Sequence, residues 1–231
     1  MDTKIYIDAL ERQAAADGVP YEGALTHFLD YLLKLFNIDG CLHGQQKMLQ
    51  HFDEVLREKP LFGWLAVRWL SDVTDALNRG RWFDAFGTLY EEMFLLRGKA
   101  AKNGQFFTPT GISDLLADIV ARPDQYGVVN DCAAGSGRLL LAHYINASRV
   151  NHAEGRKYTY IAQDSDQTAA KMCALNLMAH GMYGRVECRN TLLWNTPSVV
   201  YYINEVRYPI PTALYSVRAF SPNIHSNPNN L

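Results

Sequence analysis

Nowhere do these 231 residues approach the roughly 20 consecutive apolar positions a membrane span requires, and no charged-then-apolar leader opens them. Cysteine is scarce: Cys41, Cys132, Cys173 and Cys188 stand apart, with no Cys-x-x-Cys pair and no histidine at ligand spacing. That excludes a disulfide framework and a zinc site, and it suits reduced thiols. An excess of either charge is lacking too. The net charge of −2 argues against a protein that coats nucleic acid unaided. Low-complexity tracts and internal repeats are absent, and with 48% apolar residues disorder is excluded. These absences predict a soluble, cytoplasmic, metal-free protein with material for a packed core.

Present instead are two textures. Residues 1–100 carry 11 Lys/Arg against 15 Asp/Glu, and residues 101–231 carry 11 against 9. The first stretch is helical in pattern. Apolar residues recur at helical spacing in Leu25–Phe36, Met48–Leu56 and Leu65–Leu77, with breaks at 37–40 and at Lys59-Pro60. A further helix is predicted from Trp82 to Leu96, ending near Arg97-Gly98. The aromatics Trp64, Trp69, Trp82, Phe83 and Phe86 are assigned to the core by default, with subunit contact as the other option.

From about residue 104 strands and helices alternate. Thr110 or Ser113 caps a helix reaching Val120, and then follow a strand at 127–130, a helix from about Ser136 to Val150 and a strand at 157–162. A helix over Thr168–His180 and a short strand at 185–188 complete the pattern, with Val199–Ile203 a further strand candidate and a frayed last dozen residues. The prediction is a partial doubly wound α/β domain (101–231) with a parallel sheet, preceded by an all-α domain (1–100).

The most telling segment is Asp131-Cys-Ala-Ala-Gly-Ser-Gly137, where a β-branched strand runs into a tight loop and then a helix. Small residues there let backbone approach a ligand, and the helix presents its free N–H groups. Asp164 ends the next strand, where a carboxylate can accept two ribose hydroxyls at once. Asp166 competes for that role, and capping of the following helix is the alternative for both. His180 reads as a helix-end residue rather than a catalyst.

Together with Tyr90-Glu91, Gly104-Gln-Phe-Phe-Thr-Pro109 and the Asn176 helix, this ordered set resembles the N6-adenine DNA methyltransferases, especially the modification subunits of type I restriction systems. The resemblance implies an S-adenosylmethionine-binding Rossmann-like sheet. In it Phe107, Thr108 and Pro109 lie beside the methionine end of the cofactor, and Asp131 accepts from its amino group. Ala133, Gly135, Ser136 and Gly137 form the loop beneath it, with Cys132 where the family usually has proline. Asn190 stands where the family carries an aspartate for the adenine amino group, which implies weaker binding. The implied partners are double-stranded DNA and a separate specificity subunit, in a possible homo- or hetero-oligomer.

The family's Asn/Asp-Pro-Pro-Tyr/Phe centre, expected some 15–30 residues after Asn190, is not found: Asn195-Thr-Pro-Ser and Pro209-Ile-Pro do not fit, and Asn227-Pro228 lies too late. Catalytic residues are therefore unassigned. The chain is either a fragment or a naturally short relative, and the alternative function is a non-catalytic cofactor-binding or regulatory module. A nicotinamide dehydrogenase is disfavoured, because the third glycine of its fingerprint would fall at Leu140. An RNA or protein methyltransferase would share the pocket.

Overall fold

The computed structural model describes residues 2–37, 45–95, 107–120, 127–148, 158–193, 195–205 and 216–222. The expected stop at Arg97-Gly98, the Gly104–Phe106 part of the phenylalanine segment, the Pro209–Pro211 stretch and the frayed end beyond residue 222 lie outside them. Five helices come first: α1 (Thr3–Ala16), α2 (Ala24–Phe36), α3 (Gln45–Glu58), α4 (Pro60–Asn78) and α5 (Ala85–Tyr90). Proline opens α4 at its first turn, where its missing N–H costs nothing. Along α2, Leu25, Phe28, Leu29, Leu32 and Phe36 follow the helical repeat and are buried.

The helix expected over 82–96 is shorter and less regular. It begins at Ala85, because Asp84 accepts from the Gly87 amide and caps it, and at Glu91 it widens into a π-helical turn through Leu95. Of the five aromatics, Trp69 and Phe86 are fully buried, Trp82 and Phe83 are partly buried, and Trp64 is half exposed.

The second half comprises α6 (Thr110–Val120), β1 (Gly127–Asp131), α7 (Arg138–Ser148), β2 (Tyr158–Asp164), α8 (Gln167–Ala179), β3 (Gly184–Cys188), β4 (Val199–Ile203) and β5 (Val217–Phe220). Neither Thr110 nor Ser113 caps α6 with its side chain. Ser113 lies inside the helix, buried, with its amide on the Pro109 carbonyl. The five strands run in spatial order 1-2-3-4-5. β1, β2 and β3 are parallel, in register Val129↔Tyr160 and Ala162↔Val186. The expected parallel sheet is found in β1–β3, while β4 turns back antiparallel on β3 and β5 follows antiparallel on β4. With only about ten residues between β3 and β4 there is no room for a crossover helix, so a reversal is the available connection.

The crossovers through α7 and α8 step in one direction along the sheet, so the right-handed rule puts both helices on one face. The winding is thus single rather than double among the described residues. Ten of the 13 residues of α8 are buried. One side of this helix meets the sheet, and another meets α2. A single apolar cluster consequently runs from Tyr6 and Trp69 through Ala170 and Met172 to Tyr160 and Val186.

Candidate functional site

Val129 of β1 packs into the core, and the chain then leaves the sheet at Asp131 into the loop before α7. Gly135 and Gly137 adopt φ of +56° and +93°, a region side chains rarely enter. A Cβ on Gly135 would come within 2.9 Å of the Phe107 ring, and one on Gly137 within 2.9 Å of Leu177. The loop is stitched down by Ala134 N–H donating to the Gln163 carbonyl (2.9 Å) and Gly137 N–H to the Ala134 carbonyl (2.8 Å). Phe107, Thr108, Ala133, Gly135 and Arg138 line a small hollow over it.

The two expected carboxylates reach this loop in different ways. Asp164 accepts from the Gly135 amide (2.9 Å) through one oxygen and from the Asp166 amide (2.9 Å) through the other. Asp166 instead accepts from Ala169 N–H at 2.7 Å and caps α8. The competition between the two acids is thereby separated: 166 is the cap and 164 holds the loop. Asp131 accepts from the Ala133 amide (3.1 Å) with one oxygen, while its buried Oδ2 has no partner. Burial pushes its carboxyl above the ordinary range. The Ala133 amide opposes that shift, and the charge of Asp164 adds to it.

Two other expected residues point elsewhere. The Ser136 side chain is buried, and its hydroxyl donates inward to Asp84 at 2.6 Å. Asn190 turns its side-chain oxygen onto the amides of Leu192 (3.1 Å) and Leu193 (3.3 Å), closing a short 3-10 turn. Thr191 hydroxyl meets the Cys132 carbonyl at 3.0 Å, which brings that turn beside the loop.

Beneath the loop lies a polar centre that sequence reasoning missed. Asp84, 4% exposed, accepts from Gly87 N–H (2.8 Å), Ser136 Oγ (2.6 Å), Arg138 Nε (2.6 Å) and Asn176 Nδ2 (2.7 Å). Arg138 also forks onto both oxygens of Glu91, at 2.9 and 2.8 Å, and lies 5.4 Å from the Phe107 ring centre. A cation at the first position of α7 opposes the helix dipole, so two carboxylates are needed to hold it there. Burial alone would lower the Arg138 guanidinium, but Glu91 and Asp84 outweigh it and raise it.

His180 accepts from Phe83 N–H (3.1 Å) at Nε2, so Nδ1 carries the proton to the Asn176 carbonyl (2.7 Å). Burial lowers it to about 4, and it stays neutral and structural, as its helix-end position predicts. A roomier cleft of about 320 Å³ lies on the far side of Arg138, between Trp82, Asp114 and Asn146. Among its polar side chains, Trp82 donates to Asp114 and Asn146 to Asp118, and Arg81 and Thr110 also line it. The candidate site is the loop between β1 and α7, which carries the unpartnered Asp131 oxygen and the positive-φ glycines and whose Gly135 also lines the smaller hollow.

A family model described as N-6 DNA Methylase matches residues 81–205, over half of the chain. The type I restriction enzyme MpnII methylase subunit of Mycoplasma pneumoniae is 35% identical over 106 residues, covering 43% of this chain and 18% of that protein. The chain thus spans under a fifth of that relative's length. Among solved structures, a modification subunit from Vibrio vulnificus YJ016 assigned to a type I restriction enzyme superposes with a TM-score of 0.40 and 21% identity. That match covers 47% of this chain and 23% of the other. A type I restriction-modification methyltransferase subunit from Streptococcus thermophilus gives 0.35 and 20% over 77% of this chain and 37% of the other.

Proposed function

The chain belongs to the N-6 DNA methylase family, and from that footing we propose that it forms the S-adenosylmethionine-holding part of an adenine-N6 DNA methyltransferase of a type I restriction-modification system. The observation that carries the reading is the buried, unpartnered Oδ2 of Asp131, at the start of a loop that Gly135 and Gly137 turn through positive φ. A buried carboxylate oxygen without a donor costs on the order of 1–3 kcal/mol, so it calls for a cationic or N–H-bearing ligand. The α-ammonium of S-adenosylmethionine is such a group.

The bound cofactor supplies an electrophilic methyl group. This chain's residues would hold the donor. Asp131 takes the ammonium, and the backbone of Ala133, Gly135 and Gly137 passes beneath the methionine end. Phe107, Thr108 and Pro109 form its flank. Asp164 keeps a free lone pair on each oxygen beyond the two amide bonds, enough to accept a ribose diol. Asn190, with its oxygen on the Leu192 and Leu193 amides, offers the adenine amino group only a second lone pair. The buried Asp84–Arg138–Glu91 centre fixes the loop from below. Double-stranded DNA as substrate, a specificity subunit as partner and a cytoplasmic location complete the proposal. No helix among the described residues is long and apolar enough to cross a membrane. Family membership favours this reading over the non-catalytic module.

Titration calorimetry of the purified chain with S-adenosylmethionine and with its demethylated product tests the reading. Micromolar binding is expected, weakened about 5- to 150-fold by Asp131→Asn, the range for losing a charge-assisted partner. No binding of either compound at millimolar concentration would refute it.

A further inference from the structure

Tyr90 and Glu91 stand far from the cofactor loop in sequence, and both reach the segment that flanks it. The helix changes form between them: α5 ends at Tyr90, and the π-helical turn opens at Glu91. Such turns are rare and gather at functional sites. Tyr90 is buried and sets its ring edge-on to Phe107, with 5.5 Å between ring centres. Glu91 acts on the same segment through Arg138. A guanidinium has five N–H groups to place. Nε of Arg138 donates to Asp84 at 2.6 Å. Nη1 divides its two between Glu91 Oε1 (2.9 Å) and the Thr108 carbonyl (3.3 Å), and Nη2 donates to Glu91 Oε2 (2.8 Å). Asp84 grips Nε alone, and a guanidinium held only there can still swivel. The fork onto Glu91 fixes its plane. That plane aims Nη1 at Thr108 and lays the cation 5.4 Å from the Phe107 ring centre, within cation–π range. Phe107 in turn rests on the loop, so close that a Cβ on Gly135 would come within 2.9 Å of its ring.

We infer that Tyr90 and Glu91 are positioning residues. Tyr90 directly, and Glu91 through Arg138, set the Phe107–Thr108 wall against the Gly135 loop, and with it how tightly the methionine end of the cofactor is gripped. The inference rests on the proposed function for the identity of the ligand, not for the placement of the wall. Asp84 cannot take over the role of Glu91, because its oxygens already accept from Gly87, Ser136 and Asn176 as well as from Nε. Glu91 spends both oxygens on Arg138, so it acts on the wall and not on the ligand. The effect is selective. Asp164 and Asn190 stand at the ends of β2 and β3 and are held by bonds of their own, to the amides of Gly135 and Asp166 and to those of Leu192 and Leu193. The ribose and adenine end of the ligand is therefore independent of Glu91. In this way the helical half tunes a pocket that the α/β half builds.

The test labels the full chain with fluorophenylalanine and identifies the Phe107 signal by its loss in Phe107→Leu. Fluorine NMR of the ligand-free protein then reads the wall in the parent chain and in Glu91→Gln. Titration calorimetry of the unlabelled proteins compares S-adenosylmethionine with methylthioadenosine, which lacks the amino-acid end. Glu91→Gln should move the Phe107 resonance and weaken S-adenosylmethionine about tenfold or more, with methylthioadenosine changed less than about twofold. Arg138→Lys, which keeps the charge and loses the fork, should show the same selectivity. Tyr90→Leu alters no charge and should move the same resonance with the same selectivity, and it decides the matter should Glu91→Gln fail to fold. An unmoved Phe107 resonance, an unchanged affinity for S-adenosylmethionine, or equal weakening of both compounds would overturn the inference, the last being what a general loss of structure produces. A parent chain that binds neither compound removes the methyltransferase proposal, and the resonance alone then decides the placement of the wall. Cofactor binding by the parent chain with an unmoved resonance in the variants does the reverse.

Discussion

Replacing Asp84 with alanine removes at once the cap of α5, the acceptor for Ser136 and Asn176, and one of two carboxylates neutralising Arg138. Loss of one partner of a buried ion pair costs roughly 3–5 kcal/mol, because the other charge stays buried. The capping bond adds about 1 kcal/mol. The retained fork between Arg138 and Glu91 moderates the sum, so a net loss of about 3–5 kcal/mol is expected. For a protein of this size each kcal/mol lowers Tm by about 2–4 °C, giving a fall on the order of 10 °C. Urea unfolding followed by circular dichroism measures the free energy, and a thermal scan gives the Tm. Arg138→Met should also destabilise, and the double variant should be less damaging than the sum by about 1–3 kcal/mol, since each removes the other's partner. A loss below 1 kcal/mol for Asp84→Ala, or strict additivity with Arg138→Met, would refute the view that this carboxylate organises the loop.

Other consequences are as direct. Gly137→Ala puts a methyl group against Leu177 and Cys173 at positive φ, and should cost roughly 1–3 kcal/mol in urea unfolding. The folded-state value of His180 is lowered from 6.5 to about 4, so its contribution is complete above pH 6.5 and is lost as pH falls towards 4. At ~1.4 kcal/mol per pH unit this is about 3 kcal/mol, and His180→Gln should flatten that part of a stability–pH curve. The carboxyl of Asp131 is shifted the opposite way, so folding is favoured by its protonation and that benefit disappears as pH rises through its folded-state value. Asp131→Asn should therefore raise Tm at pH 7 and change it less at pH 4, while weakening cofactor binding; a lowered Tm at pH 7 would contradict the assigned burial.

The strand–loop–helix unit was legible because β-branched residues, small residues and two glycines each constrain the backbone on their own. The burial of α8 and the structural role of His180 could be read for similar reasons. Strand direction could not. Val199–Ile203 is an unbroken β-branched and aromatic run, and such a run reads the same in parallel and antiparallel pairing. The buried centre was invisible because Asp84 and Ser136 lie 52 residues apart, and the helix expected over 82–96 places Asp84 within it rather than at its cap. Arg138 stands 54 residues from Asp84, beyond the reach of any local pattern. On α6, Ile112, Leu115, Leu116, Ile119 and Val120 have the periodicity of a core face yet are 40–59% exposed, and periodicity does not say whether a core is there to receive them.

Helix α8, buried nearly all round, serves two neighbours with one set of side chains. Its Ala170, Met172 and Leu175 belong to the same apolar cluster as Leu29 of α2 and Val186 of β3. For anyone dissecting the gene, a cut near residue 100 would therefore strip apolar surface from both products and split Asp84 from Arg138. In evolutionary exchange the same holds: the helical half and the α/β half share one core, and a volume change on α2 needs a matching change on α8.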